Sequence, residues 1–176
     1  YLYYIPQSKV INHLAYEYEM YHQMQDIIQS YEYVTDYIMI KAQGRNCNLN
    51  TKHILEDADL VVVELTQNQE LMEAFFDNYS SLRQKAIFVF SDYRREKIPI
   101  SYIMKKYHLK KERVAIITRY MPLYEAYLKG ELIPFLRDSY NCSIQSEHLK
   151  CMKELQRIGR LIIRAERTDQ VAKANS

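Results

Sequence analysis

The sequence predicts an α/β protein with a mainly parallel β-sheet flanked by helices, a Rossmann-like three-layer sandwich with extra C-terminal helices. Apolar runs of strand length alternate with helical patterns, which is the order that parallel strands and crossover helices produce. The run LVVV at residues 60–63 has no polar alternation, so we expect both of its faces to be covered. After the last apolar run, the chain continues in helical patterns only.

The first part of the chain predicts alternating strands and helices. Residues 1–5 (YLYYI) and 36–40 (DYIMI) are apolar runs of strand length, and a helical stripe spans about residues 13–32 between them. A brief helix at residues 51–56 precedes a strand at residues 58–65. Thr66 and Gln69 have capping-box spacing, so the next helix should begin at this point.

The second part predicts two more strands and a helical C-terminal region. The strands are residues 86–90 and 114–117, and Pro99 suits the first turn of the helix between them. Two short helices and a long one should then follow at residues 122–129, 131–140 and 147–167. We expect a single domain over residues 1–167 and a disordered polar tail at residues 168–176.

Composition and charge exclude several classes of function. The net charge of +2 does not call for a nucleic acid, and no segment approaches the roughly 20 apolar residues of a membrane span. Three scattered cysteines indicate reduced thiols in a cytoplasmic protein, and no metal-ligand spacing is present. Arg157, Arg160, Arg164 and Arg167 suit a helix C-terminus, and a surface or partner contact through residues 147–167 is the alternative.

Glycine is scarce in this chain, which has only Gly44, Gly130 and Gly159. A loop that holds phosphate through its backbone needs several glycines, because successive N–H groups must turn toward the anion. Neither G-x-x-x-x-G-K-[ST] nor G-x-G-x-x-G can be built from these three. The chain therefore contains no phosphate loop of either type.

In parallel sheets, the ligand site lies beyond the carboxyl ends of the strands. The residues that directly follow the predicted strands are therefore the candidates for binding. They are residues 41–46, 64–68, 91–94 and 118–122.

Three stretches in this order resemble the ParA/MinD-like (SIMIBI-class) family of P-loop ATPases. Residues 36–46 (DYIMIKAQGRN) resemble the family's strand ending in D-x-x-G or D-x-P, and residues 58–68 (ADLVVVELTQN) resemble its next strand. Residues 85–117, followed by YMPLYEAYLKG at residues 120–130, are similar to the late strand, the Pro-containing loop and the short helix of the family. The resemblance covers roughly residues 30–135.

The resemblance implies a P-loop NTPase-like fold that binds ATP at the sheet edge. It implies that residues 43–46 lie near the γ-phosphate and residues 120–122 near the base. Where the family often has an Asn that recognises the adenine ring, this chain has Ser91-Asp92-Tyr93. The cofactor-binding residues that it implies are Lys41, Gln43, Gly44, Arg45, Asn46, Ser91, Asp92, Tyr120, Met121 and Pro122.

The departures from the family concern hydrolysis. Lys41 stands where the family has an Asp that holds Mg²⁺ through water, and a cation there would repel the metal. The family's first strand and phosphate loop are expected upstream of Tyr1, so Mg-ATP is expected only with such a loop. No catalytic and no metal-ligating residue is assigned, and hydrolysis is not expected of the chain as it stands.

Three interpretations follow from these patterns. The first is a nucleotide-binding switch domain, incomplete or degenerate, that forms a homodimer or controls a partner protein. The second is a non-catalytic interaction or regulatory module of the same fold. The third is a receiver-type signalling domain, which is disfavoured because the strand ends lack the expected aspartates and Thr118-Arg119 stands in place of a lysine.

Overall fold

The computed structural model describes the backbone of residues 13–42 and 49–174, and the side chains of residues 23–42 and 51–165. Where the sequence predicts one domain, the chain divides into two compact units, Tyr1–Ala58 and Asp59–Ser176. The strand predicted at residues 1–5 lies outside the described residues.

The first unit contains two helices that lie against each other, α1 (His13–Glu32) and α2 (Leu49–Asp57). Both helices are confirmed: the apolar stripe predicted α1, and the brief helix predicted at residues 51–56 lies within α2. The strand predicted at residues 36–40 is absent: Tyr37 is 54% exposed and Met39 is 85% exposed. An apolar run becomes a strand only when its backbone finds a neighbouring strand to bond with, and no described residue of this unit supplies one.

The second unit is built on a three-stranded parallel sheet. Its strands are β1 (Val61–Leu65), β2 (Ala86–Tyr93) and β3 (Val114–Thr118), in the spatial order β1-β2-β3. Both strand pairs are parallel, which confirms an α/β protein with a Rossmann-like arrangement. Since the order follows the sequence, these three strands contain no reversal of strand order.

Helices connect the strands and complete the second unit. Asn68 begins the first of them, because its side chain accepts a hydrogen bond from the backbone N–H of Leu71, so the predicted cap at Thr66 is two residues early. The last helix continues to Ala174, through most of the segment predicted to be a disordered tail. The helices are α3 (Gln69–Asn78), α4 (Ile100–Lys106), α5 (Met121–Leu128), α6 (Leu132–Ser139) and α7 (Leu149–Ala174), with short 3₁₀ turns at Ser80–Gln84 and Lys111–Arg113.

The core lies on both faces of the central strand β2. On one face, the Phe88 ring lies 5.4 Å from the Phe76 ring of α3. On the other face, Ile87 and Val89 are buried in a cluster with Leu161 of α7. Because alternate residues of a strand point to opposite faces, α7 and α3 cover opposite sides of the sheet. This arrangement gives the second unit three layers.

The edge strand β1 is covered on one face only. Val61, Val63 and Leu65 are buried, whereas Val62 is 47% exposed and Glu64 is exposed. The expectation that this run is covered on both faces is therefore wrong. Its apolar composition reflects β-propensity, while α7 packs on β2 and β3 and leaves the outer positions of β1 open.

Candidate functional site

The three strands end at the same edge of the sheet because they run parallel. The segments that follow Leu65, Tyr93 and Thr118 meet at this carboxyl edge, where open α/β sheets bind their ligands. Gln67, after β1, bonds to the backbone of the segment after β2, and Asp92, at the end of β2, contacts the side chains of Arg94 and Arg119. We refer to this set of contacts as the carboxyl-edge site.

Asp92 occupies a distorted position at the end of β2. The pairing between β2 and β3 shifts register between Phe90 and Tyr93, which marks a bulge or irregularity. Asp92 has a φ of 48°, in the left-handed region that few residues other than glycine adopt. Aspartate and asparagine tolerate this region better than most side chains. Bulges often re-aim a side chain at the rim of a sheet, and this one lies where Asp92 meets its partners.

The Asp92 carboxylate lies between two arginines. Its Oδ2 is 3.5 Å from Nη2 of Arg94, and its Oδ1 is 3.5 Å from Nε of Arg119. The side chains of Asp92 and Arg119 are about half exposed, and that of Arg94 is 34% exposed. The strand ends of β2 and β3 are therefore bridged by a carboxylate with one guanidinium group on each side.

Gln67, just after β1, holds the loop that carries Arg94. The Arg94 backbone N–H donates to Gln67 Oε1 at 2.8 Å. Gln67 Nε2 donates to the carbonyl of Arg94 at 3.0 Å and to that of Ile98 at 2.8 Å. One amide side chain therefore satisfies three backbone groups of this loop and fixes it to the end of the neighbouring strand.

The end of β3 is held by α7 and by β2. Glu154 of α7 accepts hydrogen bonds from the Thr118 backbone N–H at 2.8 Å and from Thr118 Oγ1 at 2.7 Å. The Arg119 N–H donates to the carbonyl of Tyr93 at 3.3 Å. The backbone positions of both arginines are therefore set by hydrogen bonds to other elements.

Tyr120 and Pro122 lie beside this cluster, at the start of α5. The Tyr120 hydroxyl is 2.6 Å from His148 Nδ1, and the His148 ring makes an edge contact with Phe135. Burial, with a smaller contribution from Glu147, raises the pKa of Tyr120, so its phenol stays neutral. Pro122 and His148 also line a shallow groove of about 460 Å³ over α5 and α6.

The structure places only part of the predicted site. Lys41 is exposed, in the irregular segment of the first unit, and residues 43–46 (Gln43, Gly44, Arg45 and Asn46) lie outside the described residues. Ser91 and Asp92 form the end of β2, and the segment Tyr120, Met121 and Pro122 begins α5. Asp92 and Tyr120 are thus brought to neighbouring strand ends, with Arg119 between them in sequence and in contact with Asp92.

Several residues of the site were not singled out from the sequence. Gln67, Arg94 and Arg119 fall inside the strand-end segments 64–68, 91–94 and 118–122, so position was the signal that could have found them. Glu154 and His148 gave no signal, because each contacts a partner 36 or 28 residues earlier in the chain. Only the packing of α7 brings them to the edge.

Within the described residues, no group of three or more His, Cys, Asp and Glu side chains is arranged to hold a metal ion. In the same part of the chain, no helix combines the length and the apolar character needed to cross a membrane. Comparisons of the chain with protein-family models, with curated proteins and with solved structures found no match.

Proposed function

We propose that this protein is a ParA/MinD-like, P-loop NTPase-like switch domain that binds ATP at the carboxyl edge of its sheet and does not hydrolyse it. The observation that carries the proposal is the meeting of Asp92, Arg119 and Tyr120 at the ends of β2 and β3. This is the edge at which parallel α/β sheets bind nucleotides. It is also the edge to which the family resemblance assigns the base.

The chemistry of the site suits a nucleotide. Tyr120 offers a partly buried aromatic ring that suits stacking by a flat base, and its neutral hydroxyl is paired with His148. Arg94 and Arg119 offer guanidinium groups, which bind phosphate oxygens well because of their fork of N–H donors. The family resemblance assigns to Lys41 the position of the acid that holds Mg²⁺, so we expect binding without hydrolysis.

Calorimetric titration with ATP tests the proposal. We expect binding that is similar with and without Mg²⁺, and no release of phosphate over hours. The Tyr120→Ala variant should lose most of this binding, whereas Tyr120→Phe should keep it because the ring is retained. Tyr124→Ala is the matched control, since Tyr124 lies one turn further along in α5 and is 53% exposed.

The outcomes separate the proposal from its rivals. Absence of binding at millimolar ATP would contradict it. Equal losses in Tyr120→Ala and Tyr124→Ala would show that the binding is not at the carboxyl edge. Strictly Mg²⁺-dependent binding with steady phosphate release would contradict the non-hydrolytic part.

A second candidate, an interaction module that pairs with a second copy of the chain, is favoured by the outer face of α5. Met121, Tyr124, Tyr127 and Leu128 are 46–64% exposed there. Contiguous exposed apolar side chains with tyrosine are typical of protein interfaces. Sedimentation velocity of the wild type and of Leu128→Arg tests it: a dimer that dissociates in the variant supports this candidate, and a monomeric wild type contradicts it.

A further inference from the structure

The cluster of Asp92, Arg94 and Arg119 has more hydrogen-bond donors than acceptors. Each guanidinium carries five N–H donors, whereas one carboxylate has about four lone-pair sites. Both contacts to Asp92 measure 3.5 Å, longer than the roughly 2.7–2.9 Å of a close charge-assisted hydrogen bond. Nε of Arg94 is buried and has no hydrogen-bond partner among the described residues. Asp92 therefore satisfies the two arginines only in part.

The bases of both arginine side chains are held in place by other elements. Gln67 bonds the backbone N–H and carbonyl of Arg94, and Tyr93 accepts from the backbone N–H of Arg119. A ligand that bridges the two guanidinium groups would therefore not need to order the backbone first. Such preorganisation lowers the entropy cost of binding.

The charge of the cluster identifies the class of ligand. Two guanidinium groups and one carboxylate leave one positive charge, so the ligand should be an anion. A monocarboxylate would only repeat what Asp92 already supplies. A phosphate group carries up to two negative charges and has several oxygens arranged in a tetrahedron, so it can accept from both guanidinium groups at once.

We propose that Arg94 and Arg119 form a phosphate-binding site in which Asp92 is the internal anion that a phosphate group displaces. This inference shares with the proposed function only its location at the same sheet edge. A free phosphate group binds without any contact to a nucleotide base. Asp92 then acts as a competitor that lowers the affinity of the empty site. Asp92 can be replaced by Asn without new backbone strain, because both residues tolerate its left-handed conformation. The role of its charge can therefore be tested separately from its conformation.

Titration with pyrophosphate, followed through the arginine Nε–H signals in ¹H–¹⁵N spectra, tests the site. The Nε–H signals of Arg94 and Arg119 should shift and that of Arg95 should not. Asp92→Asn should bind pyrophosphate about fivefold more tightly, a change of about 1 kcal/mol, because an exposed ion pair of this kind contributes up to about that amount. Arg119→Gln should bind it at least fivefold more weakly.

Arg95→Gln is the matched control, since it removes the same charge from the same loop and Arg95 is exposed. We expect its affinity to stay within about twofold of the wild type. The inference is overturned when Asp92→Asn binds no more tightly than the wild type, or when Arg95→Gln loses as much affinity as Arg119→Gln.

Parallel titrations with ATP and acetate separate this inference from the proposed function. Pyrophosphate binding without ATP binding would support the phosphate site and contradict the nucleotide switch. ATP binding that is lost in Tyr120→Ala, in a protein that binds no pyrophosphate, would support the switch and overturn the phosphate site. Acetate binding as tight as that of pyrophosphate would overturn the assignment to phosphate.

Discussion

Replacing Gln67 by Ala should destabilise the protein and release the Arg94 loop. The variant loses three hydrogen bonds to backbone groups, two at Arg94 and one at Ile98. A net hydrogen bond contributes about 0.5–1.5 kcal/mol, and these groups are only partly buried, so water replaces some of the lost bonds. We therefore expect the free energy of unfolding to fall by about 2 kcal/mol.

Gln69→Ala is the matched control for this change. Gln69 lies two residues further along, is exposed, and makes one side-chain hydrogen bond to Glu73 within the same helix. Such a pair stabilises a helix by about 0.2–0.5 kcal/mol, so the control should lose only that much. A second variant, Gln67→Glu, keeps the acceptor for the Arg94 N–H but turns an oxygen toward two carbonyls. It should be at least as destabilised as Gln67→Ala.

Urea unfolding measures these free energies, and native-state hydrogen exchange measures the opening of the loop. The Arg94 N–H should exchange faster in Gln67→Ala, whereas amides in the centre of β2 should change only as much as the overall stability does. If Gln67→Ala loses no more stability than Gln69→Ala, the three hydrogen bonds do not hold the loop and the preorganisation of Arg94 is refuted.

Three further predictions concern the second unit. Gly130→Ala should lower the free energy of unfolding by about 1 kcal/mol, because Gly130 has a φ of +72°. Gly159→Ala should raise the free energy of unfolding by about 0.5–1 kcal/mol, because Gly159 lies within α7 and an added Cβ there meets no atom. Urea unfolding should therefore give changes of opposite sign. Burial raises the pKa of the Cys151 thiol to about 11, so at pH 8 iodoacetamide should modify Cys142 much faster than Cys151, as peptide mass spectrometry can measure. Glu154→Gln should lower the free energy of unfolding, measured with urea, by about 1–2 kcal/mol, because an amide keeps only one oxygen for the two donors of Thr118.

Each of these predictions has a result that contradicts it. A stabilised Gly130→Ala would show that the left-handed turn after α5 tolerates a Cβ. Equal modification rates of the two cysteines would show that the thiol of Cys151 is accessible in the native state. An unchanged Glu154→Gln would mean that the end of β3 is held without its carboxylate.

The sequence predicted most elements of the second unit because their signals are local. The three strands are short β-branched or aromatic runs, and the helices between them have apolar residues at helical spacing. The same signal was misleading at residues 36–40, where the apolar side chains are exposed and no described neighbour completes a ladder. Periodicity reports the composition of a segment, whereas a strand also needs a pairing partner.

The candidate site was predictable as a location and not as a set of contacts. The rule that ligands lie beyond the carboxyl ends of parallel strands selected the segments that contain Gln67, Asp92 and Arg119. Their contacts depend on the register shift after Phe90 and on the loop that begins at Arg94, which Gln67 holds. Neither feature has a short-range sequence signature, because both follow from how β2 meets β3 and β1.

The scarcity of glycine and the geometry of the carboxyl edge both favour anion binding through side chains rather than through backbone N–H groups. A glycine-rich loop binds phosphate through backbone N–H groups, but here the strand-end backbone groups of Arg94 and Thr118 are already bonded to Gln67 and Glu154. Among the described residues of this edge, the guanidinium groups of Arg94 and Arg119 carry side-chain donors that Asp92 satisfies only in part. Because these side chains are about one-third to one-half exposed, salt screens their attraction for an anion more than it would screen a buried loop. An anion site of this design gains its selectivity from the fixed backbone positions of two arginines, which Gln67 maintains through its bonds to Arg94 and the Tyr93 carbonyl by accepting from the Arg119 N–H.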